Sequence, residues 1–349
     1  MGQEFVPLVP PDRPVRSVPN RPRLSLVTAQ DLGRVEFPDI AYVVPGLVAE
    51  GLTILAGKPK GGKSWWCLDI AVAVATGGVA LGSIPTDPGD ALYLALEDNP
   101  RRLQRRLRQL LGTGDLPARL SFATDCPPLD RGGLAAIEGW AQEAVKPRLI
   151  IVDVFAKVRP DRRKDDGLYE ADYRAVAPLK ELADRLGLAV IIVHHTSKRT
   201  EAADPFDTIS GTTGLTGAAD TVLILSATPD GPKVYGRGRD IEELEKAMRF
   251  DRTSGRWLLL GDASEVVRSN EQKAVLDILD KATEPMSPAV VAEMLGKKVN
   301  TINVLLRRMA ERGDVVKEAR GRYRHRNRWE NADPCQNGQN VRMRGDDYA

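Results

Sequence analysis

The sequence predicts an α/β protein: a mostly parallel sheet organised around a glycine-rich loop, with a small second domain at the C-terminal end. Three observations carry that expectation. Residues 51–78 read strand, glycine-rich loop, helix, in that order. From there to about residue 225, short apolar runs alternate with longer helical segments, the pattern of a parallel sheet covered on both faces. Beyond about 264 the strands give way to three short helices and a basic hairpin.

The first observation is the most specific. LTILAG is short and apolar and reads as a buried strand. GKPKGGKS follows, and its Gly57, Gly62, Lys63 and Ser64 fit GxxxxGK[ST]. SWWCLDIAVAVA then runs without Pro or Gly as a helix. Glycines let the backbone curl so that its N–H groups point at phosphate oxygens, and the positive end of the helix favours the same anion. Lys63 can reach the β- and γ-phosphates and the Ser64 hydroxyl can ligate Mg²⁺. Lys58, Pro59, Lys60 and Gly61 complete the loop and Trp65 opens the helix, so residues 57–65 are the expected nucleotide-binding segment.

The remaining elements follow in order. Residues 1–34 are rich in Pro and Arg and read as a disordered or extended leader. VVPGLVAEG leads into the loop's strand. ALYLALED, 91–98, is the next strand, and NPRRLQRRLRQLL a basic helix with Leu103, Leu107, Leu110 and Leu111 at helical spacing. LSFAT, 120–124, is a strand, residues 129–145 a helix, and RLIIVDVF, 148–155, a buried strand. A polar loop at 156–168 carries Arg159, Arg162, Arg163 and Lys164. The next helix contains Pro178, where a kink or a new start is expected. LAVIIVHHTS, 188–197, and TVLILS are strands separated by the loop ISGTTGLTG. VYGRGRD and AMRFDRTSGRWLLL finish the sheet as antiparallel strands. SEVVRSN, near 264–270, reads as a hinge. The expected division is therefore 1–34 leader, 35–264 nucleotide-binding domain, 265–326 second domain and 327–349 disordered tail.

The 349 residues are 42% hydrophobic and 28% charged, enough for one large core and a small second domain. Formal net charge is +2, unevenly placed. Residues 297–328 hold eleven Lys or Arg and three acids, so this window is +8 and the rest −6. Such a segment suits a polyanion. Cys67, Cys126 and Cys335 form no CxxC, which fits a reducing compartment without structural zinc. The N-terminus lacks the pattern of a signal peptide and no apolar run approaches a membrane span. These features predict a cytoplasmic protein with no membrane partner.

Three further positions suit chemistry on a bound triphosphate. Asp153 ends the strand IIVD, where a carboxylate reaches the ligand edge of an open sheet and can hold Mg²⁺ directly or through water; otherwise it is a turn-capping acid. Glu97 ends ALYLALE and can stand beside the attacking water as base, with Asp98 as the alternative. His194 and His195 end VHHTS, and His195 is the expected sensor of the γ-phosphate.

GKPKGGKS, LALED, IIVD and VHHTSK followed by SGTTGLTGAAD resemble the RepA-type hexameric helicases of the RecA/DnaB-like P-loop ATPase superfamily. The resemblance covers roughly residues 35–260. It implies a RecA-like core and a homo-hexameric ring with ATP at the subunit interfaces. It also implies an arginine finger from the next subunit, matched here by YGRGRD, with Arg239 as the finger and Arg237 assisting; the alternative is two surface arginines. Loops facing single-stranded DNA in the channel correspond to 156–168 and 198–216, which offer Arg162, Arg163, Lys164, Lys198 and Arg199.

The C-terminal domain departs from that pattern and resembles a winged helix-turn-helix. Asn300 is expected to cap its third helix, which would enter the major groove of duplex DNA. Asn300, Thr301, Asn303, Arg307 and Arg308 would face the DNA, and Arg320, Arg322 and Arg324 would form the wing. A winged helix used for protein contacts is the alternative. Two functions stand open: a DNA-dependent ATPase motor in replication of a plasmid, phage or mobile element, and an ATP-switched DNA-binding initiator or regulator. A small-molecule kinase is disfavoured, because no segment resembles a substrate lid.

Overall fold

A computed structural model describes residues 26–162, 165–197, 204–209, 213–319 and 321–328. Five residues expected to contact DNA, Arg163, Lys164, Lys198, Arg199 and Arg320, lie outside them, as do residues 1–25 of the leader and 329–349 of the tail. The described residues divide into two units, 26–39 and 40–328. In the first, a single helical turn, α1 (Ala29–Leu32), is capped by Thr28, whose hydroxyl accepts the Asp31 N–H at 3.1 Å.

The second unit opens with the hairpin β1 (Tyr42–Val44) and β2 (Val48–Ala49), then β3 (Gly51–Gly57) and α2 (Lys63–Thr76). A small hairpin, β4 (Val79–Ala80) and β5 (Ile84–Pro85), precedes β6 (Asp90–Ala95), α3 (Pro100–Leu111) and β7 (Leu120–Ala123). Next come α4 (Gly133–Glu143), β8 (Pro147–Asp153), α5 (Leu168–Leu186), β9 (Ala189–His195) and α6 (Thr213–Ala218). The meander β10 (Thr221–Thr228), β11 (Gly231–Gly238), β12 (Leu244–Asp251) and β13 (Arg256–Asp262) follows. The C-terminal elements are α7 (Ala263–Lys281), α8 (Pro288–Leu295), α9 (Val299–Glu311) and the hairpin β14 (Val315–Ala319) and β15 (Arg322–His325).

Among the described residues, nine strands form one sheet in the order β13-β12-β11-β10-β3-β9-β8-β6-β7. The stretch β10-β3-β9-β8-β6-β7 is parallel, and β11, β12 and β13 extend it antiparallel. Side chains alternate between two cores. Leu149 and Ile151 face α2 and α3. Ile150 and Val152 face α4, α5 and α6. Each such side chain, fully buried, contributes on the order of 1.5–3 kcal/mol. Strands buried on both faces are what the near-continuous apolar runs require.

The antiparallel extension curls back over α2. Although β13 lies four places from β3 in the sheet, its Leu259 N–H donates to the Leu81 carbonyl at 2.9 Å, and Arg256 pairs with the buried Asp69 of α2 at 2.9 Å. Asp69 also accepts the Leu81 N–H at 2.7 Å. This closure brings β13 against the phosphate-binding loop.

The structure corrects four local expectations. The stretch ISGTTGLTG, expected as a loop, ends in the helix α6. α5 continues through Pro178 without a new start, and Ala175, Val176, Leu179 and Leu182 bury one stripe on either side of the proline. The hinge expected at 264–270 is helical: these residues belong to α7, Asn270 lies in its interior, and Asp262 precedes its first turn. Asn300 does not cap α9; it lies inside the helix, which follows Lys298. Ser287 caps α8 as its position suggests, accepting the Val290 N–H at 3.4 Å. The three C-terminal helices and the hairpin share their own core of Val275, Leu279, Val291, Leu306, Met309 and Tyr323. Among the described residues, no helix is long and apolar enough to cross a membrane.

Candidate active site

The parallel strands deliver their last residues to one edge. Gly57 ends β3, Asp153 ends β8, His195 ends β9, and Glu97 lies two residues beyond β6. In an open α/β sheet this carboxyl edge is where ligands bind. Here it surrounds a cavity of about 470 Å³ lined by residues 59–65, Glu97, Arg106, Asp153, Val154 and His195. Gly57 and Lys58, at the loop's entry, do not line the cavity but shape it through their carbonyls.

The loop's shape depends on two glycines. A Cβ on Gly57 would stand 2.6 Å from the Leu225 carbonyl oxygen of the adjacent β10. Gly62 adopts φ 87° immediately before α2, and a Cβ there would meet the Trp257 ring at 2.7 Å. The Trp257 indole N–H donates to the Gly62 carbonyl at 3.0 Å, so β13 braces the turn directly.

Lys63, the first residue of α2, is 5% exposed. Its ammonium donates to the Gly57 and Lys58 carbonyls at 2.7 and 3.0 Å and lies 3.5 Å from His195 Nδ1. Burial pulls its pKa below the usual lysine value, and the charges of Asp153, Cys67 and Glu97 act against that shift. Beneath the loop, the Cys67 thiol is pushed well up by burial.

Asp153 is 7% exposed and accepts the Tyr93 hydroxyl at 2.7 Å through Oδ2. Burial drives the Tyr93 pKa well up, so the phenol stays a donor and fixes the carboxylate's orientation. Among the described residues, Oδ1 of Asp153 accepts no hydrogen bond and the Ser64 hydroxyl makes none. One carboxylate oxygen and one hydroxyl in the same cavity suit a hard cation such as Mg²⁺, which takes few protein ligands and completes its shell with water and phosphate. Among the described residues no cluster of three or more His, Cys, Asp or Glu could hold a metal alone.

Glu97 and Asp98 are neighbours with opposite surroundings. Asp98 is bound by Arg102 and Arg106, both on the first two turns of α3. Glu97 is exposed and makes no ion pair or hydrogen bond among the described residues. Arg106 also stacks over Trp65, its Cζ 5.3 Å from the ring centroid. Sequence reasoning missed Arg106, Tyr93 and Trp257. Arg106 is one of several arginines on a basic helix; its position beside the buried Leu107 was the only signal.

Arg237 and Arg239 lie elsewhere. β11 runs antiparallel to β10 and ends at Gly238 opposite Thr221, the first residue of β10. They therefore sit toward the opposite edge of the sheet, in a second cavity of about 530 Å³. Arg237 pairs with Asp204 at 3.0 Å and Glu243 at 2.7 Å and stacks on Phe206, 4.3 Å from its centroid. Arg239, just past the strand, lies 3.6 Å from Asp220 and donates to the Gly217 carbonyl at 3.3 Å.

The remaining candidates are surface groups. Arg162 is exposed on the 156–168 loop. On α9, Ile302, Leu305, Leu306 and Met309 are buried, whereas Asn300, Thr301, Asn303, Arg307 and Arg308 are exposed. Arg307 pairs with Glu311 at 3.0 Å. Arg322 donates to the Pro285 carbonyl at 3.0 Å, and Arg324 pairs with Glu318 at 2.6 Å.

Sheet, loop and the groups at the carboxyl edge define an ATP-hydrolysing P-loop enzyme of RecA-like fold. The chain belongs to the AAA domain family, whose model matches residues 18–201, from the leader past His195. Among solved structures, an ATPase domain aligns with 64% of this chain and 92% of its own at 14% identity and a TM-score of 0.51. A DnaB-like replicative helicase, solved together with its interactions with primase, aligns with 66% of each chain, just under two thirds of its own length, at 12% identity and a TM-score of 0.49.

Proposed function

We propose that this protein is an ATP-driven motor on DNA, a RepA-like ring helicase that translocates on or unwinds DNA in replication. The observation that carries the reading is one cavity holding Lys63, Ser64, Glu97, Asp153 and His195, with Glu97 left uncommitted while Asp98 is tied down. A fold shared with a solved ATPase domain over nearly all of that domain's length supports it.

In this reading the loop's N–H groups and Lys63 bind the triphosphate. Ser64 and Asp153 Oδ1 hold Mg²⁺, which neutralises charge on the phosphate oxygens. Glu97 accepts a proton from the attacking water, its carboxylate being held by no cationic partner among the described residues. Asp98 instead anchors α3, so that Arg106 is held over Trp65 at the cavity wall. His195 is placed to follow the γ-phosphate through Lys63, its ring being 3.5 Å from the ammonium. Arg239, with Arg237, serves the neighbouring subunit's cavity as a finger; its place at the sheet's other edge supports action between chains of a homo-hexamer. The 156–168 and 198–216 loops hold single-stranded DNA in the ring channel.

A second reading is favoured by the C-terminal elements. Their separate core and the exposed polar face of α9 fit a winged helix on duplex DNA, with residues 265–326 as a domain and the ATPase as a switch. Strand displacement on a forked duplex tests the choice. ATP-dependent separation of the strands supports the motor. ATP hydrolysis stimulated by DNA with no strand separation supports the switch, and no hydrolysis at all removes both.

A further inference from the structure

The outer face of α3 carries a charge that the site at its N-terminus does not use. Leu103, Leu107 and Leu110 bury one side of the helix. The other side presents Arg101, Arg105 and Arg108 at i, i+4 and i+7, all exposed. Residues 99–112 contain no acid. Of the two carboxylates at the helix's approach, Asp98 is taken by Arg102 and Arg106, and Glu97 lines the nucleotide cavity. Arg101 and Arg105 have no ion pair or hydrogen bond among the described residues, and Arg108 reaches only the Gly114 carbonyl, at 3.2 Å. Arg101 sits in the first turn, where the helix dipole disfavours a cation.

The face extends beyond the helix. The Gln109 amide donates to the carbonyls of Arg252 and Thr253 at 2.8 and 3.3 Å, which fixes the β12–β13 turn and its exposed Arg252 alongside α3. A shallow cleft of about 440 Å³ runs along the arginines. This surface covers the α2 side of the sheet, whereas the 156–168 loop leads into α5 on the other side. Among the described residues no aromatic side chain is exposed on it, so it offers cations without a stacking platform.

We infer that this face is a second nucleic-acid contact, binding the phosphate backbone of a DNA strand without regard to sequence, apart from the 156–168 and 198–216 loops. Arg101 to Arg108 spans about 10 Å of helix axis. Over that length the three guanidiniums can each neutralise one backbone phosphate. The face is wired to the nucleotide cavity through Asp98, which joins Arg102 on this surface to Arg106 on the cavity wall. The inference rests on the DNA-motor reading for the nature of the polyanion.

The test is binding of a labelled single-stranded oligonucleotide to the full chain over a salt series, for the natural protein and for Arg101→Gln/Arg105→Gln/Arg108→Gln. Hydrolysis without DNA and thermal unfolding should match the natural protein, since the three side chains touch neither cavity nor core. Oligonucleotide affinity should fall at least about tenfold at low salt, and the slope of log K against log salt should shrink by about 2, at roughly 0.7 for each phosphate no longer neutralised on a single strand. A parallel Arg162→Gln variant should lose affinity independently. Unchanged affinity and slope in the triple variant, with the natural protein binding normally, would overturn the inference and leave the face to an acidic protein segment. A natural protein that binds no oligonucleotide would instead remove the DNA reading itself.

Discussion

The two edges of the central sheet both carry charged groups and treat them differently. At the carboxyl edge, Glu97 and one oxygen of Asp153 have no partner among the described residues, and Lys63 is held only by carbonyls and a neighbouring histidine. At the other edge, Asp220 accepts the Leu52 N–H and the Lys180 ammonium, each at 2.9 Å, and faces Arg239; Arg237 is shared by two carboxylates. For the buried Asp153 an oxygen left uncommitted costs stability unless a ligand takes it, and the exposed Glu97 is open to solvent and ligand alike. A charge with two or three partners belongs to the scaffold unless assembly calls on it.

Substitutions at the two edges should therefore fail in different ways, and the largest effect is expected at Lys63. Lys63→Ala should abolish hydrolysis in a steady-state phosphate-release assay, because the phosphates lose their cation; normal turnover would overturn the site. Arg239→Ala should lower hydrolysis by about 10³ or more in the assembled protein while leaving nucleotide binding intact. Mixing it with Glu97→Gln subunits should then restore some activity, and no recovery at any ratio would place Arg239 with the scaffold. Glu97→Gln alone should cost about 10²–10⁴ in turnover with triphosphate affinity kept.

Asp220→Ala should leave the nucleotide cavity's chemistry alone but destabilise the fold by about 3 kcal/mol, read by denaturant unfolding, since Lys180 and the Leu52 N–H lose their acceptor. The smallest effect should come from Asp98→Asn, with turnover reduced less than about tenfold because Asp98 positions rather than reacts. If Asp98→Asn proved as damaging as Glu97→Gln, the contrast between the two carboxylates would collapse.

The parallel half of the sheet was legible in the sequence because its signals are local. A short apolar strand, a glycine loop at fixed offsets and a terminal acid need no long-range information. The same is true of the α9 stripe at Ile302, Leu305, Leu306 and Met309. What escaped notice depends on partners distant in the chain. Trp257 reaches Gly62 only because the antiparallel extension curls, and nothing near residue 257 announces it. The 264–270 segment looked like a hinge because SEVVRSN is polar, yet it continues a helix whose start is held where Ala263 is buried after β13. Asn300 suited a cap by residue type, and the helix began two residues earlier than that cap implies, at Val299.

The indoles of Trp65 and Trp257 wall the phosphate-binding loop, one lining the cavity and the other bonded to the Gly62 carbonyl. The chain thus carries an intrinsic optical reporter at its own phosphate cradle. Emission from these two rings should shift on nucleotide addition in unlabelled protein, and Trp257→Phe should silence part of that signal, letting ligand occupancy be followed on the stopped-flow time scale.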